Sequence, residues 1–246
     1  MFYPETKVEY VRHVSQQPLI AVVGAGVIGS AIACALARDG RRVILIDRAP
    51  PGEAGASYGN AGHVATELVE TLPAPALLLG FWRELTAFGG VLDIPLRQLP
   101  VFAPWALRFA AAAFRQRANT AKLAPLVRPA VPALIEMLEA LGRGDLIRQH
   151  GHYQVWLRGD GQRAADEQAA NMRRLEVETR PAPKEVIESI RRAARADTAA
   201  GLWFPRCAHV LDPLEVVRAF ARGAAEHGAV FLRRDVFALR VVGSEI

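Results

Sequence analysis

Three glycines, Gly24, Gly26 and Gly29, stand in the run Gly24-Ala25-Gly26-Val27-Ile28-Gly29, between an apolar stretch and a helical pattern. That spacing can seat a pyrophosphate. The first glycine allows a tight turn, the second lets the backbone approach the phosphates, and the third lets the helix pack closely on the preceding strand. The leading N–H groups and positive dipole end of the helix then face the negative charge. Asp47 closes the next apolar stretch. A carboxylate there accepts hydrogen bonds from an adenosine ribose and repels a ribose 2′-phosphate, which argues against NADP. The motif by itself does not separate NAD from FAD.

A second cluster follows at Ser57-Tyr58-Gly59-Asn60-Ala61-Gly62-His63. Its glycines and small residues permit close approach of backbone to a flat or phosphorylated ligand. Ser57 and Asn60 add hydrogen-bonding side chains, although a plain surface loop has the same composition.

These groups need a βαβ frame, and the flanking sequence supplies one. Leu19–Val23 is continuously apolar, as a fully buried parallel strand is. Val27, Ile28, Ala31, Ile32, Ala35 and Leu36 recur at helical spacing to about Arg38, and Asp39-Gly40 ends that helix. Val43–Ile46 reads as the second strand, and Pro50–Gly62 as a loop.

From Thr66 to about His150 the pattern is mainly helical, broken by Pro73, Pro75, Pro95, Pro100, Pro104, Pro125, Pro129 and Pro132. Val131–Leu141, stopped by Gly142, is its clearest helix. Tyr153–Leu157 alternates as a strand, and Gln162–Leu175 and Glu185–Ala194 read as helices. In Asp212-Pro213-Leu214-Glu215 an N-cap, a proline at N1 and a glutamate suited to a capping box open a further helix that Gly228 ends. Ala229–Leu232 and Val236–Val242 then read as strands.

The 246 residues are 51% hydrophobic and 22% charged, a globular balance that excludes disorder as the default. The net charge of +5 comes from scattered arginines, so no nucleic-acid surface is expected. Cys34 and Cys207 form no C-x-x-C pair, and neither a redox motif nor a zinc site is indicated. His150 and His152 form an H-x-H pair, but without further ligands beside them no metal is expected. His63 reads as near a bound ligand or as plain loop polarity, and His209 as structural. Trp82, Trp105, Trp156 and Trp203 read as core.

The run before Leu19 carries Glu5, Lys7, Glu9 and Arg12 without an apolar centre, unlike a secretory signal. Leu72–Trp82 and Val101–Phe114 are shorter than the ~20 residues of a membrane span. Burial is the favoured reading of the latter, with contact at a membrane surface or with an electron acceptor the alternative. The expected location is cytoplasmic, at the inner face of a bacterial membrane in that alternative.

The run Val22 to Gly29, Ile46-Asp47-Arg48 and Ser57 to Gly62 together resemble the opening of the FAD-dependent D-amino acid oxidase superfamily, with bacterial D-amino acid dehydrogenases the nearest likeness. Arg148 to Trp156 resembles that family's entry into its substrate domain. Gly201-Leu202-Trp203-Phe204-Pro205 with His209, Asp212 and Pro213, ending in Gly228 to Phe231, resembles the segment before its adenine-side strand.

The resemblance implies an α/β fold: a discontinuous Rossmann-like FAD-binding domain with an inserted α+β substrate domain, truncated at the C-terminus. Residues 1–66 would form the FAD-binding βαβ segment, 67–200 a mainly helical insert and the start of the substrate domain, and 201–246 the return to the FAD domain. It implies FAD as cofactor and hydride transfer from a D-amino acid or related amine. Gly24, Ala25, Gly26, Val27, Ile28 and Gly29 would hold the pyrophosphate, and Asp47 the ribose. Arg48 would lie beside the adenosine, Ser57, Asn60, Ala61 and Gly62 along phosphates and flavin, and Val236 against the adenine.

Family members are longer. The resemblance therefore places the catalytic groups in a second half outside this chain, or in a partner subunit, and the chain alone is expected to be poorly soluble. A glycine or sarcosine oxidase-like enzyme and a non-catalytic FAD-binding subunit are the alternatives. An NAD-dependent dehydrogenase is disfavoured by Ser57 to Gly62.

Overall fold

A computed structural model describes residues 18–86, 92–196 and 199–240. The amino-terminal run and the last residues of the expected strand Val236–Val242 lie outside the described residues. The chain divides into two compact units. The first takes its described residues from 1–62, 137–146 and 210–246, the second from 63–136 and 147–209.

In the first unit β1 (Leu19–Val23), α1 (Val27–Arg38) and β2 (Arg42–Asp47) follow one another. Gly40, at φ +74°, turns the chain after α1. β1 and β2 pair in parallel, Leu19 opposite Arg42 and Val23 opposite Ile46. β9 (Val230–Arg233) pairs in parallel with the other side of β2, Ile44 opposite Val230 and Asp47 opposite Arg233. Among the described residues the order β1-β2-β9 makes β2 central and leaves β1 at an edge. The expected full burial of β1 therefore needs correcting: Leu19 and Val23 are 50% and 53% exposed. Val43 and Leu45 of β2 are buried instead.

α8 (Pro213–Glu226) packs on α1. Its stripe Val216, Val217, Phe220 and Ala224 meets a core that includes Ala33, Cys34 and Ala37 of α1. Truncating the fully buried Phe220 to Ala would cost about 3–5 kcal/mol. Asp212 caps the helix by accepting from Glu215 N–H at 3.0 Å. The capping box is only half made, because the Glu215 carboxylate is committed to Arg218 and Arg222. A second correction concerns Val236–Val242. Residues 236–240 join no ladder among the described residues, and Phe237 and Leu239 stand 94% and 69% exposed. Alternating apolar residues make a strand only where a partner edge receives them.

The second unit holds the remaining sheets and most of the helices. β3 (His63–Val64), α2 (Pro75–Gly80), α3 (Leu99–Ala113) and α4 (Gln116–Val127) come first. α5 (Ala130–Glu139) runs out of this unit into the first. Pro104 and Pro125 lie inside α3 and α4 and do not break them. Each lies beyond the first turn and gives up one backbone bond, and the helix continues through it.

β4 (Ile147–Arg148), β5 (His152–Trp156), α6 (Gly161–Arg174), β6 (Arg180–Pro181), α7 (Lys184–Ala194), β7 (Ala200–Phe204) and β8 (Ala208–Val210) complete the chain order before α8. The three strands β3-β8-β4 form one sheet, and β5-β7-β6 another. In β7 Ala200, Leu202 and Phe204 face inward in strict alternation, against Ala165 and Met172 of α6. No helix among the described residues is long and apolar enough to cross a membrane.

Candidate functional site

The turn between β1 and α1 is locked by backbone geometry. Gly24, at φ +102°, occupies the left-handed region, and its N–H donates to the Ile46 carbonyl at 2.7 Å. A Cβ on Gly29 would collide with the Gly24 carbonyl oxygen, so only glycine lets α1 start this close to β1. The Ala25 N–H donates to Asp47 Oδ2 at 2.7 Å, and Ala49 N–H donates to Asp47 Oδ1 at 3.0 Å. The acid at the end of β2 is thus fixed against the glycine turn.

Ser57 reaches the same place from the following loop. Its Oγ accepts from Val27 N–H at 3.0 Å and would lie 3.0 Å from a Cβ on Gly26. Asn60 Nδ2 donates to the Ser57 carbonyl, and Asn60 Oδ1 accepts from Gly62 N–H at 2.7 Å. The Gly62 carbonyl in turn accepts from Val210 N–H at 2.7 Å. So Ser57, Asn60 and Gly62 form one wired loop.

At the carboxyl ends of β1 and β2 lies an open groove of about 180 Å³, lined by Val23, Gly24, Ile46, Asp47, Arg48 and Val236, with Arg234 and Asp235. Ligands of open α/β sheets bind at such strand ends. Of the residues singled out from sequence, Gly24, Asp47, Arg48 and Val236 line this groove, Ala25 bonds to Asp47, and Ser57 bonds to Val27, while Ile28 is 74% exposed and Ala61 lies on the loop surface. Arg48 is exposed, and its carbonyl accepts from Arg233 Nε at 3.1 Å.

The second unit contains a cluster the sequence did not reveal. The carboxylate of Glu67 accepts from Cys207 Sγ at 2.7 Å and meets His63 Nε2 at 3.0 Å. His152 Nδ1 lies 3.6 Å from Glu67 Oε1. His63 also leans on His209, and His152 stacks on Phe204 at 4.8 Å between ring centroids. Burial alone would raise the Glu67 pKa, but the bonds from Cys207 and His63 outweigh it and hold the carboxyl below its usual range. Burial pushes the Cys207 thiol up, with the Glu67 bond adding to it. Burial pushes His152 down, against the pull of Glu67.

His150, the expected neighbour of His152, is exposed and lies before β5, and its carbonyl accepts from Trp203 Nε1 at 3.2 Å. The ligand-type residues of the cluster, His63 to Cys207, stand as much as 144 positions apart in sequence, so spacing carries no signal for them.

A parallel sheet, a glycine turn into α1 and an acid closing β2 define a dinucleotide-binding α/β unit. The family described as FAD dependent oxidoreductase (DAO) matches residues 20–245, and the chain belongs to it. D-amino acid dehydrogenase 2 of Ralstonia nicotianae is 41% identical over 105 residues, 41% of this chain and 24% of that protein. D-amino-acid oxidase of Bradyrhizobium diazoefficiens is 31% identical over 140 residues, 54% of this chain and 32% of that protein. The chain thus spans a quarter to a third of the curated relatives it matches.

Among solved structures, glycine oxidase from Bacillus cereus superposes with a TM-score of 0.53 at 18% identity, over 92% of this chain and 49% of that one. L-amino acid deaminase from Proteus myxofaciens gives 0.54 at 15%, over 94% and 40%. These are likenesses of fold.

FAD is the cofactor of this family. The residues here fit it: the groove ends at Asp47 and Val236, Gly29 leaves no room for a side chain, and the first turn of α1 carries no acidic residue to repel phosphate.

Proposed function

We propose that this chain supplies the FAD-binding part of an enzyme that oxidises the C–N bond of a D-amino acid. The observation that carries the reading is the bond from Ala25 N–H to Asp47 Oδ2, which sets the acid at the mouth of the strand-end groove. The names of the relatives, D-amino acid dehydrogenase and D-amino-acid oxidase, support the substrate class.

In this reading the backbone from Gly24 to Gly29 receives the pyrophosphate at the amino end of α1. Asp47 retains unused lone pairs and accepts the ribose hydroxyls. Arg48 and Val236 flank the adenosine, with Val236 offering its backbone. Ser57, Asn60, Ala61 and Gly62 form the wall along the phosphates and flavin. Bound FAD supplies the hydride acceptor, and the chain's own residues position it.

The test is the visible spectrum of the chain after refolding with FAD and desalting, followed by anaerobic addition of D- and L-alanine, glycine and sarcosine. Retained flavin bands that vanish in Gly26→Trp support the dinucleotide site. Bleaching by the D-amino acid, in this chain or in an extended one that contains it, supports the substrate class. Bleaching by glycine or sarcosine alone would replace that class with the glycine oxidase type.

A further inference from the structure

The cluster in the second unit is the one concentration of ligating side chains found among the described residues, and the cofactor reading leaves it unused. His63, Glu67, His152 and Cys207 each offer one donor atom, and those atoms all lie within 4.8 Å of one another. The set comprises two imidazoles, a carboxylate and a thiol. Structural zinc sites are closed by four ligands of these types, at about 2.0–2.3 Å from the metal, which sets tetrahedral ligand atoms about 3.3–3.8 Å apart. Glu67 Oε1 lies 3.0 Å from His63 Nε2 and 3.6 Å from His152 Nδ1, near that range, whereas the 2.7 Å from Glu67 Oε2 to Cys207 Sγ is a hydrogen bond that opens as the thiol proton leaves. The widest needs to close by about 1 Å, which is within reach of side-chain rotation.

A second observation points the same way. Nδ1 of His152 is buried and stays just beyond hydrogen-bond reach of its nearest acceptor, Glu67 Oε1 at 3.6 Å. A buried polar atom without a bonded partner is costly and calls for an occupant. Its ring is held by the stack on Phe204, so it cannot turn away freely. The neighbours complete a supporting shell: Thr66 Oγ1 lies 3.5 Å from Cys207 Sγ, and His209 packs beside His63. The thiol is buried and the Glu67 side chain is only 10% exposed, while the His63 and His152 side chains are 27% and 25% exposed and leave the metal a path of entry.

We propose that His63, Glu67, His152 and Cys207 form a tetrahedral site for a divalent transition metal of the zinc class. Both histidines bind as neutral imidazoles. Cys207 binds as the thiolate, and its proton leaves to solvent as the metal enters. The thiolate and carboxylate together neutralise the 2+ charge. A thiolate with imidazoles selects zinc over magnesium or calcium, which take oxygen ligands. None of its donors belongs to the glycine turn or the Asp47 groove, and His63 directly follows Gly62 at the end of the flavin-side loop.

Co2+ is the probe, since it takes the same geometry as zinc and reports it in the visible spectrum. Co2+ titrated into the metal-stripped chain, with folding checked by circular dichroism, should saturate at one per chain. It should give tetrahedral visible bands and a sulfur-to-cobalt band in the near ultraviolet. Zn2+ should displace it. Cys207→Ser should abolish the sulfur band and weaken binding at least tenfold. Glu67→Gln, which keeps the side chain's size, should weaken binding to a similar degree and is read alone where Cys207→Ser loses helical signal. A folded chain that gives no bands overturns the proposal, as do bands unchanged in both variants. The four side chains would then form a hydrogen-bonded network only.

Discussion

Asp47 and Ala25 stand 22 positions apart and are joined by a 2.7 Å bond from the Ala25 N–H to Asp47 Oδ2. The same carboxylate accepts from Ala49 through its other oxygen. One side chain thus clamps the glycine turn to the end of β2 and lines the groove. Asp47→Asn turns one of the two acceptors into a donor facing an N–H. The expected loss is about 1–3 kcal/mol of stability, because a partly buried N–H is left unsatisfied. FAD retention should fall with it. Thermal melts and flavin titration of the same preparations check both, and a variant that melts like the parent would show that the clamp contributes nothing.

Gly29 and Gly40 separate two reasons for glycine. At Gly29 a Cβ meets the Gly24 carbonyl oxygen, and that backbone is itself tied to Ile46. At Gly40 the φ of +74° is left-handed, but nothing lies within 4 Å of a Cβ. Gly40→Ala should therefore cost only the left-handed penalty, about 1–2 kcal/mol. Gly29→Ala must move backbone and should cost more, as well as weakening flavin binding. Equal denaturation midpoints for the two variants would contradict the close approach.

How much of this was legible depended on range in sequence. The frame β1-α1-β2 and the start of α8 announce themselves locally, through Gly24 to Gly29, Gly40, and Asp212 with Pro213. β3, β4 and β6 do not, because two-residue strands exist only through partners far along the chain. β7 has no counterpart in the sequence reading, although its Ala200, Leu202 and Phe204 alternate. Val236–Val242 misled in the opposite direction, showing alternation without a partner among the described residues.

His152 was paired by proximity with His150, when its neighbours are His63, Glu67 and Cys207. Local rules read caps and turns, whereas a side-chain cluster is a property of the folded chain.

Glu215 gives α8 a pH-dependent contribution. Its bond from Arg218, opposed by burial and reinforced by Arg222, holds its pKa below the usual carboxylate value. The stability this contributes is present above that usual value, about 4.3. It is lost as pH falls through the lowered folded-state pKa. The side chain is 31% exposed, so the effect is under about 1 kcal/mol. Glu215→Gln should lower the urea midpoint slightly at pH 7, and the gap to the parent should close as pH falls through the lowered folded-state pKa. A gap that persists below it would assign the effect to packing instead of charge.

The edge strand β1 bears on how the chain behaves in solution. β2 covers one side of it, and Leu19, Ala21 and Val23 are exposed on a short apolar strand whose other side pairs with no strand among the described residues. Such an edge templates pairing with another chain, and natural sheets blunt it with lysine. Ala21→Lys puts a charge at the middle of the exposed row without touching the buried Val43 and Leu45 of β2. The substitution is expected to reduce light scattering at matched concentration and to leave the melting temperature within about 1–2 °C. A burial-neutral surface change rarely moves stability by more than about 0.5 kcal/mol. Scattering unchanged by Ala21→Lys, with the fold intact, would place the self-association elsewhere, and the exposed apolar side chains Val101, Leu107 and Phe114 are then the next positions to charge.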